Sequence, residues 1–362
     1  MNELEIARSI INEVDGEMAK LFEKRMKASE LVAKYKKEHA LSILDTSREG
    51  EIIKKNSALI EDEVIKEYYV EFLKKNMELS RSYQSRLNEG MRVAYSGIEG
   101  AYAHIASRKM YPEAIYVSYK DFDSAYKAVE NGECDACVLP IENSYAGDVA
   151  GVMDLAFSGN LYITQALDLE IDHCLIGCEG ATKNDIRAVV SHPQALSQCA
   201  NYINENKFEE ISFQNTALAA KHIKELNDKS IGAIASRETA EIFGLNVIES
   251  KINTSRSNTT RFLSFSRAMD LNNNEKRKMN EHFILVFTVR NEAGALAKTI
   301  DIIGAHRFNM RNLRSRPMKE LLWSYYFFVE ADGNINTQNG KDMLRELSAT
   351  CDMLKLVGTY RS

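Results

Sequence analysis

The chain has 362 residues, 44% hydrophobic and 27% charged, with a formal net charge of −6. This is the composition of an ordinary globular protein with room for two or three domains. The acidic balance argues against non-specific nucleic-acid binding, and it means that an anionic ligand needs a local cationic pocket.

The start, Met1-Asn2-Glu3-Leu4-Glu5, has no apolar signal core, and no apolar run reaches membrane-spanning length. A cytoplasmic location is expected, with no membrane partner. Cys134 and Cys137 form a CxxC beside the apolar run Ala136–Leu139, but no second CxxC or histidine pair completes a zinc spacing. Cys174 and Cys178 flank another apolar run. Reduced, mostly buried thiols are the reading, and no metal or cofactor is called for.

Residues 2–88 contain no proline. Leu4, Ile11, Met18 and Val32 recur at heptad spacing, and Ile10, Val14, Leu21, Phe22 and Leu31 widen the stripe. A helix to about Lys37 would be roughly 50 Å long at ~1.5 Å per residue. That is more than a domain of this size covers, so a second copy is implied. Arg25 lies on the heptad line, and Lys36 lies three turns later on nearly the same face. Such cations either meet an anion or snorkel to solvent. Thr46 and Glu49 have capping-box spacing before a helix over Arg48–Ile60. A third helix, Glu63–Asn88, carries Ser80 and Gln84 on one face.

Together these positions resemble the all-helical chorismate mutases. Arg8, Arg25, Lys36, Asp45, Arg48, Glu49, Ser80 and Gln84 each carry the residue type that family uses. The resemblance implies a pericyclic rearrangement of chorismate to prephenate, with no nucleophile. Arg8, Arg25 and Arg48 would clamp the carboxylates, Arg8 reaching across from the other subunit. Lys36 and Gln84 would donate to the ether oxygen, Glu49 with Asp45 would orient the ring hydroxyl, and Ser80 would help hold a carboxylate.

From about Gly90 the pattern alternates. Strands are expected at Arg92–Tyr95, Ile115–Ser118, Ala136–Leu139, Leu161–Ala166, His173–Gly177, Ala188–Ser191, Ile231–Ala235 and Val247–Glu249. Helices such as Asp121–Asn131 and Gln194–Asn204 stand between many of them. This rhythm predicts an α/β fold with largely parallel pairing and ligands at strand ends and helix N-termini. The polar motifs fall at those places: Gly97–Tyr102, Pro140-Ile141-Glu142-Asn143-Ser144, Ser191-His192-Pro193-Gln194, and Thr259-Thr260-Arg261-Phe262 entering a last strand.

Taken in order, with Asp172-His173-Cys174-Leu175, these motifs resemble prephenate dehydratase. The resemblance implies two lobes around a cleft, like periplasmic binding proteins, and loss of carbon dioxide and water from prephenate to give phenylpyruvate. Thr260 would be the hydrogen-bond donor or acid. Arg261 would fix a carboxylate or brace the site from behind. Tyr102, Glu142, Asn143, Ser144, Ser191, His192, Gln194 and Phe262 would bind substrate, with His192 leaning towards a structural role. The first turn departs from the family, with Ile98, Ala101 and Ala103 where a proline and small hydroxyl residues are usual.

Leu271–Asn280 reads as a linker. Beyond it the order is strand Phe283–Val289, helix Ala295–Ala305, strands Met310–Arg316 and Trp323–Glu330, helix Gly340–Ala349 and strand Leu354–Tyr360. This βαββαβ order resembles an ACT domain of ferredoxin-like α+β fold. Gly294-Ala295-Leu296 and Ser315-Arg316-Pro317 would form an allosteric phenylalanine site at a subunit interface. Arg314 stands where that family has glutamate.

The expectation is therefore a multidomain enzyme: residues 1–90 all-α, 91–268 an α/β dehydratase and 281–362 regulatory. It would act on chorismate and prephenate as a homodimer or higher homo-oligomer. The competing readings are a non-catalytic sensor of small anions and amino acids, and an enzyme keeping one of the two activities.

Overall fold

A proline-free run rich in helix formers, with Gly16 tolerated inside it, produces α1 (Glu3–Glu38), 36 residues long. The computed structural model describes residues 2–255, 257–269, 281–318 and 324–361. The expected linker Leu271–Asn280 and Trp323 lie outside the described residues.

Residues 1–92 form one unit. A capping box of Asn2 and Glu5 starts α1. Next come α2 (Thr46–Ser57) and α3 (Glu63–Glu89), which stops where Gly90 adopts φ 102°. The N-cap of α2 is Asp45, which accepts from the Arg48 backbone N–H at 3.0 Å. The expected Thr46–Glu49 capping box is therefore not used, and Glu49 is left for another partner.

The inward face of α1 is polar and small. Ser29 and Ala33 are buried, and Arg25 and Lys36 are half-buried. Two bonds between backbone and side chain, Lys37 Nζ to Asn88 O at 2.9 Å and Asn88 Nδ2 to Ala33 O at 3.4 Å, pin α1 to α3. The apolar stripe faces outward instead: Leu21 is 64% and Leu31 72% exposed.

Residues 93–362 form the second unit. Its first lobe holds β1 (Arg92–Ser96), α4 (Tyr102–Met110), β2 (Ile115–Tyr119), α5 (Phe122–Glu130), β3 (Ala136–Asn143), β4 (Gly147–Asp148), α6 (Ala150–Ser158) and β5 (Tyr162–Glu170). The second lobe holds β6 (Cys174–Gly177), β7 (Ala188–Ser191), α7 (Pro193–Gln198), α8 (Ala200–Asn206), β8 (Glu209–Ser212), α9 (Thr216–Leu226), β9 (Ile231–Ala235), α10 (Arg237–Phe243) and β10 (Asn246–Glu249). The chain then returns to the first lobe as β11 (Thr259–Ser266). The C-terminal part runs β12 (Glu281–Thr288), α11 (Ala295–Ala305), β13 (Asn309–Pro317), β14 (Tyr325–Asp332), α12 (Gln338–Thr350) and β15 (Met353–Arg361).

Two sheets result. The larger has the order β13-β14-β12-β15-β5-β11-β3-β1-β2, with β4 on β3, and the smaller is β10-β6-β9-β7-β8. Pairing is mixed, which corrects the expected largely parallel sheet. β1–β3, β7–β8 and β7–β9 are parallel, whereas β11 runs antiparallel to both β3 and β5, and β10 to β6. The cause is the chain's return between lobes: β11 re-enters from the opposite end. The expected helix Gln194–Asn204 is broken at Cys199, which caps both α7 and α8. The edge strand β8, Glu-Glu-Ile-Ser, is exposed throughout and lacked any alternating signal.

The two connections between lobes hold each other. Asn253 accepts from the His173 backbone N–H at 2.7 Å and donates to Ile171 O at 2.8 Å. The C-terminal part is not a separate bead. β15 pairs with β5 at Gly358 and Ile163, where a Cβ on Gly358 would lie 2.1 Å from the Ile163 carbonyl oxygen. Only glycine permits that approach. Leu139, Met153, Ile163, Phe265, Ile284, Tyr326 and Val357 share one buried cluster across this junction. Fully burying each large side chain contributes about 1.5–3 kcal/mol. The six cysteines are free, and five of them are buried. No helix among the described residues is long and apolar enough to cross a membrane.

Candidate active sites

In the helical unit, Arg25 on α1 donates to Ser80 Oγ on α3 and to Asn76 O at 3.3 Å. Burial lowers the Arg25 pKa by desolvating the guanidinium. Gln84, one turn after Ser80, is 7% exposed, and its carboxamide oxygen has no hydrogen-bond partner. A buried orphan of this kind is expected of a group that completes its bonding on a ligand. Lys36 reaches the Ile43 carbonyl at 2.5 Å and Glu49 pairs with Arg81.

Arg25 and Ser80 thus meet between α1 and α3, with the buried Gln84 one turn further along α3. Arg48 instead points to Glu51 at 3.1 Å on the exposed side of α2, and Asp45 is occupied as an N-cap. Arg8 is exposed and seventeen residues before Arg25 on one straight helix, about 25 Å away at ~1.5 Å per residue. It cannot enter its own chain's Arg25 pocket.

In the second unit a cleft of about 570 Å³ opens between the lobes. Tyr102, Asn143, His192, Gln194, Thr260 and Phe262, all predicted from sequence, line it. The strand register explains the gathering. Thr260 lies opposite Asn143, and a bulge between Arg261 and Phe262 lets Pro140 and Asn143, three residues apart, share the cleft face.

Asn143 is locked. Its Oδ1 accepts from the backbone N–H groups of Tyr145 and Ala146 at 3.0 and 2.8 Å. Its Nδ2 donates to Thr260 Oγ1 at 2.9 Å. Because Asn143 donates to the threonine oxygen, the Thr260 proton is free to point elsewhere, and the cleft is the side it faces.

A second chain of bonds comes from the hinge. His173 Nε2 lies 2.8 Å from Gln198 Oε1, and its Nδ1 lies 3.1 Å from the Tyr102 hydroxyl. An amide oxygen can only accept, so Nε2 carries the proton and Nδ1 accepts from Tyr102. Burial lowers the His173 pKa and raises the Tyr102 pKa well above the usual phenol range, so both stay neutral. With its oxygen engaged by His173, Gln198 has only its amide N–H groups to offer a ligand. His173, Gln198, Asn215 and Thr216 line the cleft but were not chosen from sequence. The one signal was the Asp172-His173 motif. Gln198 read as an ordinary position of the expected helix Gln194–Asn204, and Asn215 carried no motif; it is the N-cap of α9.

Four predicted residues lie elsewhere. Ser191 is fully buried and donates to Ile234 O at 2.6 Å. Ser144 bonds Ser257 O at 2.8 Å and does not line the cleft. Glu142 faces away and pairs with Arg314. Arg261, next to Thr260 on a strand, necessarily points to the opposite face. There it makes two bonds to Asp168 at 2.7 and 2.9 Å and meets Glu330 at 2.9 Å. Of its two expected roles, bracing from behind is the one this position allows. His192 accepts from the Gln194 N–H at 3.2 Å as the N-cap of α7.

The expected cationic lining is absent: among the described residues the cleft has no lysine or arginine, and Asp148, at its edge, turns its carboxylate to Arg314 behind the strands. Helix ends take that place. The first residues of α4, α6 and α9 open onto the cleft, and α4 and α6 have no side-chain cap. Each end presents backbone N–H groups and roughly half a positive charge.

Arg261 predicts a stability effect. Glu330 is 4% exposed and Tyr360 also donates to it. Removing Arg261 leaves this buried carboxylate short of charge compensation, so Arg261→Met is expected to cost about 3–5 kcal/mol. The check is a fall in melting temperature with chorismate turnover preserved at low temperature. Hydrogen bonds from Arg261 hold the Asp168 carboxyl below its ordinary pKa. That stabilisation is complete above the ordinary carboxylate range and is lost as pH falls through the depressed value.

One polar site between helices and another between lobes define a two-site protein in which buried donors and helix ends, among the described residues, are set to grip a small charged ligand. Residues 93–270 match the prephenate dehydratase family, and residues 7–85 match chorismate mutase type II. Arogenate dehydratase/prephenate dehydratase 2 of Arabidopsis thaliana is 32% identical over 279 residues, covering 75% of this chain and 72% of its own. The bifunctional chorismate mutase/prephenate dehydratase of Buchnera aphidicola is 28% identical over 100% of this chain and 97% of its own. The structure of prephenate dehydratase from Arthrobacter aurescens with L-Phe has a TM-score of 0.68 at 25% identity, covering 75% of this chain and 90% of its own. The chain belongs to the bifunctional chorismate mutase–prephenate dehydratase family, enzymes of phenylalanine biosynthesis that are at once isomerase and carbon–oxygen lyase.

Proposed function

We propose that residues 1–90 rearrange chorismate and residues 91–268 dehydrate prephenate, with 281–362 as an ACT regulatory domain and the central lobes of periplasmic-binding-protein type. The observation that carries this reading is the Asn143–Thr260 pair at a cleft between lobes, where the amide donates to the threonine oxygen and leaves the hydroxyl its own donation to make.

In the mutase, Arg25, Lys36, Ser80 and Gln84 hold the substrate in its reactive conformer and donate to the breaking ether. Arg48, Asp45 and Glu49 close the site from α2, and Arg8 enters from a second copy. The exposed stripe of α1 supports a homodimer: Leu21, Leu31 and their neighbours need cover that this chain does not give them.

In the dehydratase, the carbon–carbon bond to the ring carboxylate breaks and releases carbon dioxide, its electrons enter the ring, and the carbon–oxygen bond breaks as the ring hydroxyl takes up a proton, relayed through Thr260 from solvent, and leaves as water. Thr260 hydrogen-bonds the departing oxygen, helped by the polarising amide of Asn143. Gln194, Gln198 and the uncapped ends of α4 and α6 hold the remaining carboxylate. Tyr102, His192 and Phe262 shape the pocket. Ser144 and Ser191 act by holding the backbone of the site.

Gly294, Ala295 and Leu296, with Ser315, Arg316 and Pro317, would take phenylalanine, the ligand of the Arthrobacter protein. A cytoplasmic location suits these soluble substrates. The test supplies chorismate alone to the purified chain. Transient prephenate followed by phenylpyruvate is expected, with the second step slowed by phenylalanine. Turnover of neither chorismate nor added prephenate would leave the sensor reading in its place.

A further inference from the structure

The opposite face of the catalytic strands carries a row of charges. Asp168 on β5, Arg261 on β11, Glu142 on β3 and Asp148 on β4 are direct partners from strand to strand. One residue further along on the front face lie Thr260, Asn143 and Gly147, likewise in register. The charged row therefore sits immediately behind the pair that presents the reactive hydroxyl.

The weak point is the hairpin of β3 and β4. β4 has two residues, and its strand pairing to β3 places Glu142 directly opposite Asp148. Like charges so placed push a hairpin apart. Arg314 on β13, in the C-terminal part, meets both. Its Nη2 lies 2.5 Å from Glu142 Oε2 and its Nη1 lies 2.9 Å from Asp148 Oδ1. The Arg314 side chain is 11% exposed, whereas those of Glu142 and Asp148 are 36% and 39% exposed, so the guanidinium is sheltered and water screens the pairs in part. One planar fork thus spans both strands of the hairpin.

What the hairpin holds is the site itself. Its turn wraps the N–H groups of Tyr145 and Ala146 onto Asn143 Oδ1. Its second strand leads through Val149 into α6, whose start lines the cleft. If the hairpin opens, Asn143 loses its orientation, Thr260 loses its donor, and the wall at residues 146–150 shifts together with them.

We propose that Arg314 is a positioning residue of the dehydratase: it holds the Glu142–Asp148 hairpin from the C-terminal part and thereby aligns Asn143 and Thr260. The inference rests on the dehydratase reading above. It gives the charge reversal at this position a purpose, because a carboxylate in place of Arg314 would join two others. It also makes β13, the strand bearing Ser315 and Arg316, a mechanical link to the cleft.

The test uses the full chain and follows prephenate and chorismate turnover in the same preparations. Arg314→Gln is expected to lower the dehydratase kcat about 10- to 100-fold, the scale of a misplaced catalytic group. KM should change by less than about threefold, because alignment and not binding is lost. Chorismate turnover, which belongs to the other unit, should be unchanged, and the melting temperature reports whether the second unit is folded. Adding Glu142→Gln and Asp148→Asn to Arg314→Gln removes the repulsion and is expected to recover most of the kcat. Arg314→Lys, which keeps the charge but loses the fork, should fall between wild type and Arg314→Gln. It gives the reading should the glutamine variant not fold. An unchanged kcat in both Arg314 variants overturns the proposal, as does a kcat loss that the neutral triple variant fails to recover. A wild-type chain that does not consume prephenate refutes the dehydratase reading itself, a separate outcome.

Discussion

Arg25→Ala is expected to lower the mutase kcat by about 10²–10³, the effect of removing one preorganised donor from a site that stabilises developing charge. The Arg25 guanidinium is half-buried between α1 and α3 and already partly stripped of water. A carboxylate of the substrate therefore meets a cation that competes little with solvent, and the attraction is correspondingly strong. Ser80, which accepts from Arg25, keeps its own donation to Asn76 O at 3.0 Å, so the fold loses little. Arg25→Lys is expected to recover only part of the rate, because the planar fork is lost. Prephenate dehydration in the same variant should stay at the wild-type rate. The measurement is chorismate disappearance beside prephenate turnover. A folded Arg25→Ala protein that loses both activities would show that the two sites are not independent.

Thr260→Val should show the opposite pattern, with a dehydratase kcat about 10²–10⁴ lower, the range for loss of a positioned proton donor, and normal chorismate turnover. Valine keeps the shape and removes the hydroxyl. Asn143 Nδ2 retains Asn258 Oδ1 at 2.9 Å and Thr259 O at 3.3 Å, so the neighbouring amide is not orphaned. The loss is then chemical and not structural. Thr260→Ser keeps the hydroxyl and should stay within about tenfold of wild type. Steady-state kinetics on prephenate decide this: an unchanged kcat in Thr260→Val would remove the threonine from the reaction.

Much of this was legible in the residues. The helix ends of α1 and α3 and the order of the C-terminal elements followed from hydrophobic period, glycine and proline placement. Thr260, Asn143 and Tyr102 followed from motif order. Other features were not legible, and for identifiable reasons. The split of α7 from α8 at Cys199 carries no breaker residue. Asp45 took the cap that Thr46 was expected to supply, since both residue types cap well. Gln198 and Asn215 reach the cleft only because one lobe faces the other. The missing cationic lining was the larger surprise: a doubly charged ligand suggested arginines, but helix ends supply the positive potential, and these have no letter in a sequence.

By itself the sequence determined the type of most elements and the identity of the chemical groups, because period, caps and motifs are local and depend on nearby residues. Tertiary structure alone decided which face each group serves. Alternation along β11 sends Thr260 forward and Arg261 back, and which side is the cleft depends on strands more than a hundred residues apart in the chain. It also joined the C-terminal part to the catalytic sheet through Gly358 and placed Arg314 behind Asn143. Charge pairing across such distances in sequence is set by how sheets curl and pack, which no local pattern encodes.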